Sequence, residues 1–207
     1  MITHPFVKIN LGLNVLRKRE DGFHDIETLF LPYREISDTL EIIPADDYSR
    51  TAGMLAEKYS VEDGTLAQAV SDDAKVMITI ARAEGGDWNP LEDLTVRACT
   101  LLARDFNLPS VKIFLEKTAP VGAGLGGGSS DAAFALMMID EMFSLGLDSD
   151  AIASYAARLG SDCAFFVYGE PMFGEGRGEI LSIYSLPDGF SENYEIKVIV
   201  PEGVSVS

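Results

Sequence analysis

The chain has little with which to build a metal cluster or a disulfide framework. Its 207 residues include two cysteines, Cys99 and Cys163, and two histidines, His4 and His24. Two thiols in that arrangement give neither a set of staples nor paired metal-ligand spacing. Such sparse thiol use, with no secretory signal, points to a reducing cytoplasm. Basic residues are scarce too: 16 Lys and Arg stand against 33 Asp and Glu, a net charge of -17. That balance repels nucleic acid and anionic membranes and argues against both as partners. No apolar run approaches the roughly 18 residues of a membrane-spanning helix. The opening residues 1–6 lack the basic patch and apolar stretch of a signal peptide. What is present is ordinary for a globular protein: 47% hydrophobic and 24% charged residues, in a chain long enough to bury a core.

Alternation and branched residues predict strands over 7–16, 23–31, 39–43, 76–80 and 111–117, with a charged turn at 17–22. Helical spacing predicts helices over 94–106, 132–139 and 150–159. Short strands are expected at 163–168 and 195–200. Residues 46–73 mix charge, glycine and alanine, and either a helix through part of them or a surface excursion fits. Strands and helices do not alternate regularly, so the fold class expected is α+β, a mixed sheet packed with helices, and not a simple doubly wound sheet.

The strongest chemical signal lies between the strand at 111–117 and the helix at 132–139. It reads Pro120, Val121, Gly122, Ala123, Gly124, Leu125, Gly126, Gly127, Gly128, Ser129, Ser130, Asp131. Five glycines in seven positions let a backbone close around a ligand. Ser129, Ser130 and Asp131 are all good N-caps, so a helix is expected to open there. Its free N–H groups and dipole would make an anion site, which lets an acidic protein hold a triphosphate. The loop lacks the Gly-Lys-Ser/Thr ending of a Walker loop, so no lysine of its own reaches the phosphates. The spacing Gly122, Gly124, Gly127 also fits a dinucleotide fingerprint, with Asp148 or Asp150 as the later acid. The serine pair and the dense glycines suit phosphate wrapping better. A flexible loop without a ligand is the bland alternative.

This run resembles the ATP loop of the GHMP kinases. Two further segments resemble, within that superfamily, the kinases of 4-diphosphocytidyl-2-C-methyl-D-erythritol. One is Val7–Leu13 with Arg19–His24 and Thr28–Phe30; the other is Leu159–Phe166, followed by Phe173–Glu179. The resemblance implies the GHMP-kinase N-terminal domain, a ribosomal protein S5 domain 2-like fold, over residues 1–200, with 201–207 opening a further region that this chain does not complete. It implies ATP as co-substrate, Mg2+ carried by the nucleotide, and a cytidine diphosphate-linked methylerythritol as the small-molecule substrate, in non-mevalonate isoprenoid precursor biosynthesis. Asp162 would be the general base for the substrate hydroxyl, and Lys8 would polarise that hydroxyl and neutralise charge in transfer.

Asn10, two residues along the strand from Lys8, would face the same side and help. Phe23 and His24 would read the cytosine by stacking and hydrogen bonding. Phe23 stands where the family has Tyr, keeping the stacking face and losing the hydroxyl. Asp93 stands where the family has Asn, near the adenine pocket. A carboxylate cannot donate as an amide does, so that role is not carried over. Cys163 is expected to be a small buried residue rather than a reactive thiol. The rival readings are a GHMP kinase for another alcohol, of the homoserine or mevalonate type, and a non-catalytic nucleotide-binding fragment.

Overall fold

A computed structural model describes residues 1–83 and 89–199. The chain begins with β1 (Ile2–Thr3), β2 (Phe6–Lys18), β3 (His24–Ser37) and β4 (Thr39–Pro44). Next come α1 (Ala52–Lys58), β5 (Leu66–Val70), β6 (Val76–Arg82), α2 (Leu94–Asp105) and β7 (Val111–Lys117). The remainder is α3 (Gly127–Phe143), α4 (Ser149–Ala157), α5 (Cys163–Tyr168), β8 (Met172–Glu175), β9 (Ile180–Ile183) and α6 (Phe190–Asn193). Residues 46–73 therefore hold both a helix and a strand, α1 and β5.

The strands form two sheets. One has the order β1-β4-β7-β6-β5, and the other β2-β3-β8-β9. Among the described residues only β6 and β7 pair in parallel, so the first sheet is mixed and the second antiparallel. A parallel pair needs a crossover, and α2 supplies it.

Period-two alternation explains how the first sheet is covered on both faces. Leu40, Ile42, Ile113 and Leu115 turn toward α2, α3 and α4 and meet Ala98, Leu102, Leu136 and Ile139. Their strand neighbours Ile43 and Phe114 turn to the opposite face, where Leu55 and Tyr59 cover them. Alanines at 132, 135 and 156 are fully buried and let the helices lie close to the sheet and to one another.

Two expected strands are not strands. Residues 163–168 form α5, closed by Gly169 at φ 64° in the left-handed region. A six-residue apolar run has no periodicity that separates strand from helix. Here it is wedged between the two layers, with Phe165 and Phe166 packed on Phe6 and Phe30. Residues 195–199 pair with no strand, and residue 200 lies outside the described residues, as does the expected opening of a further region at 201–207. Among the described residues no helix is long and apolar enough to cross a membrane.

Candidate active site

The glycine loop starts where β7 ends. Gly122, Gly124 and Gly126 have φ of 71°, 74° and 73°, so the backbone turns left-handed at every second residue. Gly126 is closely packed as well as left-handed. A Cβ there would lie 3.0 Å from Phe166 Cζ and 3.2 Å from Lys8 Cγ. Gly126 is also the N-cap of α3, without a side-chain cap. This corrects the expected caps. Ser129, Ser130 and Asp131 lie inside the first turns, because a left-handed glycine can open the helix by backbone geometry alone.

The first backbone bond of α3 is Ser130 N–H to Gly126 O at 2.9 Å. The N–H groups of Gly127, Gly128 and Ser129 therefore have no partner within the helix, which is the arrangement that receives an anion. The loop wraps a cavity of about 440 Å³ lined by Pro120 through Ser129, and by Lys8, Asp93, Leu94, Lys117, Ala119 and Asp162. Ser130 does not line it; that side chain is buried with its hydroxyl unpartnered.

Two long strands bring Lys8 to the cavity. Lys8 N–H donates to Leu125 O at 2.9 Å, which ties β2 to the loop. The buried Lys8 ammonium donates to Asn10 Oδ1 at 2.6 Å, as expected for residues two apart on a strand. Asn10 Nδ2 donates to Thr28 Oγ1 at 2.8 Å, and Thr28 donates onward to Gly12 O at 2.7 Å. Asn10 is thus held in one orientation, its carbonyl oxygen toward the lysine. Lys8 Nζ stands 3.4 Å from Asp162 Oδ2, and the Asp162 side chain is 30% exposed. Asp162 precedes α5 without capping it, so its carboxylate is not consumed by the helix N-terminus. Cys163 beside it is buried, and burial pushes its thiol up to about 11, so it is not a reactive thiolate.

Phe23 and His24 are exposed near the far end of the β2–β3 hairpin and do not line the cavity. The β8–β9 turn spans the interval. Arg177 lies over the Phe23 ring at 5.0 Å, and Gly176 O accepts from Ile26 N–H at 2.7 Å. A Cβ on Gly178 would sit 3.7 Å from Asp162 Oδ1. The turn thus passes close to the aspartate while the arginine reaches the aromatic face. Asp93 caps α2, its Oδ1 accepting from Thr95 N–H at 2.8 Å and from the Thr95 hydroxyl at 2.6 Å. It lines the cavity with a carboxylate already engaged by the helix.

Sequence reasoning missed Lys117, Asp38 and Asp131 as a unit. The Lys117 ammonium is paired with both carboxylates, and all three residues are buried beneath the loop. Asp38 also accepts from Thr118 N–H at 2.6 Å and Ala119 N–H at 2.7 Å, fixing the entry to the loop. Burial works against the Lys117 charge, but Asp131 and Asp38 outweigh it and hold its pKa above the usual lysine range. Burial pushes Asp131 well above the carboxylate range against the pull of Lys117. One ammonium cannot neutralise two buried carboxylates, and Asp131 Oδ1 has no partner. The only sequence signal was a lysine at the end of a buried strand; its partners lie 79 and 14 residues away.

The family model described as GHMP kinases N terminal domain matches residues 93–170. A Bacteroides thetaiotaomicron protein named 4-diphosphocytidyl-2-C-methyl-D-erythritol kinase is 41% identical over 202 residues, 98% of this chain and 63% of the relative. A Porphyromonas gingivalis protein of the same name is 34% identical over 97% of this chain and 62% of its own length. The chain thus spans less than two thirds of the length of these curated relatives. A crystal structure of 4-(cytidine 5'-diphospho)-2C-methyl-D-erythritol kinase superposes with a TM-score of 0.63 at 32% identity, covering 90% of this chain and 56% of that one. The Methanococcus jannaschii mevalonate kinase, 13% identical with a TM-score of 0.55 over 89% of this chain and 56% of its own, shares the fold. With its α+β architecture and its glycine loop ahead of α3, the chain is similar to the GHMP kinases, whose N-terminal domain model matches residues 93–170.

Proposed function

We propose that residues 1–200 are the nucleotide-binding and catalytic part of a kinase that transfers the γ-phosphoryl group of ATP to the 2-hydroxyl of 4-diphosphocytidyl-2-C-methyl-D-erythritol. The observation that carries this reading is that the Lys8–Asp162 pair opens into the same cavity as the glycine loop. The names of the relatives support the choice of substrate.

In this reading the free N–H groups at the start of α3 receive the phosphates. The substrate hydroxyl oxygen attacks the γ-phosphorus, the bond to the β-phosphate oxygen breaks, and ADP leaves. Asp162 takes the hydroxyl proton, and Lys8, steadied by Asn10, offsets negative charge on the oxygens in flight. Phe23 and His24 hold the cytosine, with Arg177 backing the Phe23 ring.

Among the described residues no three His, Cys, Asp or Glu are grouped to hold a metal. That donor set suits a Mg2+ held mainly by phosphate oxygens and water, with Ser129 or Asp162 as a protein ligand. The ion would supply charge neutralisation on the phosphates.

The test is ADP release from Mg-ATP with 4-diphosphocytidyl-2-C-methyl-D-erythritol, on this chain and on a form extended to the length of its relatives. Turnover that depends on this alcohol is the expected result for the extended form. Nucleotide binding without turnover in either form would move the assignment to another alcohol or to a binding module.

A further inference from the structure

A second cleft, of about 380 Å³, is lined by Arg97, Thr100 and Arg104 of α2, by Arg158 at the C-cap of α4, and by Leu91, Val96, Leu101 and Leu159. Positions 97, 100, 101 and 104 recur at helical spacing, so they share one face of α2. Three of the chain's 16 basic residues thus converge on one cleft in a protein with 33 acids.

None of the three arginines has a carboxylate within 4.0 Å among the described residues. The nearby acid Asp105 is turned to another partner, its Oδ2 accepting from the Tyr155 hydroxyl at 2.7 Å. Arg158 lies over the Tyr155 ring at 5.4 Å. Arg104 and Arg158 sit near helix C-termini, where a dipole favours cations and a ligand is not needed to explain them. Arg97 sits at the fourth position of α2, where the dipole disfavours a cation, and the N-cap acid Asp93 is engaged by Thr95. Three exposed guanidiniums line one cleft with no carboxylate within 4.0 Å among the described residues, and a bound polyanion would supply the counter-charge.

We propose that this cleft is a second anion site, separate from the glycine loop, for a small molecule carrying a diphosphate. Three forked donors match two linked phosphates better than one. The cleft volume limits the ligand to a small molecule, and the net charge of -17 disfavours an extended polyanion such as RNA. Leu91, Leu101 and Leu159 leave an apolar wall for the body of a diphosphate ester, while inorganic pyrophosphate would use the arginines alone. The site adjoins the candidate active site. Leu159 opens the turn that carries Asp162, and Leu91 lies two residues before Asp93.

The test is calorimetric titration of this chain with inorganic pyrophosphate and with a short alkyl diphosphate, each with a non-hydrolysable ATP analogue present at saturation. Binding is expected to persist beside the analogue and to weaken with added salt. It should fall tenfold or more in Arg97→Gln/Arg104→Gln and stay unchanged in Arg50→Gln, a charge control at an exposed arginine outside the cleft. Tighter binding of the ester would assign the apolar wall to the ligand body, and equal binding would assign the site to the free ion. Displacement by the ATP analogue, or equal affinity in the double variant and the control, would overturn the proposal. Melting temperatures of the variants, and the exposed single substitution Arg104→Gln, separate lost contacts from lost folding.

Discussion

Two lysine–aspartate arrangements meet the same glycine loop, and they differ in almost everything but residue type. Lys8 and Asp162 stand 3.4 Å apart at the cavity wall, with the aspartate 30% exposed. Lys117, Asp38 and Asp131 lie beneath the loop with every member buried. A carboxylate that a ligand can reach is able to exchange a proton with that ligand. A buried one is committed to its protein partners, because losing a partner leaves charge where no water can replace it. Burial, more than chemistry, therefore separates the aspartate that a ligand in the cavity can reach from the cluster beneath the loop. The three-residue cluster also has one acid too many, which is why the two halves should respond differently to removing a charge.

Breaking the pair at the cavity wall should cost rate and little else. Asp162→Asn is expected to lower kcat of the extended form by about 10²–10⁴-fold while nucleotide affinity stays within about twofold. ADP release and titration calorimetry measure the two separately, and an unchanged rate would end the general-base assignment.

The buried cluster should show the reverse pattern. Lys117→Met leaves Asp38 and Asp131 buried without their cation and is expected to cost about 3–5 kcal/mol of stability, read from urea denaturation. A cost below about 1 kcal/mol would mean that the three residues do not act as a unit.

The smallest effect sharpens the comparison within the cluster. Asp131 is raised by burial, so its folded form holds a proton more tightly than its unfolded form. Its contribution to stability is full below the unfolded value of about 3.9 and declines as pH rises toward the folded one. Asp131→Asn removes that decline, so stability should fall less as pH rises above about 4 than in the parent chain. Equal slopes in the two proteins would show that Asp131 is already ionised in the fold.

Much of the site was legible because it is local. The glycine run from Gly122 to Gly128 declares its left-handed turns in the residue type, and the helix after it follows from apolar spacing. Lys8 and Asn10 share a strand face by period alone, and their hydrogen bond bears that out. The failures lie where local signals are silent or point two ways. The run at 163–168 is apolar throughout, and only its place between two layers makes it a helix. Ser129, Ser130 and Asp131 looked like caps by type, yet Gly126 opens the helix and Asp131 turns inward to Lys117.

The amino-acid sequence by itself pointed to the α+β class and to the glycine loop, because each depends on spacing within a few residues, whereas Lys8 and Asp162 stood out only by the resemblance of their segments to a kinase family. The tertiary structure alone decided that Lys8 meets Asp162 across 154 positions, that Lys117 is locked between Asp38 and Asp131, and that three arginines share one cleft. Those contacts join strands and helices far apart in the chain, and the burial that sets their chemistry exists only once the layers have packed.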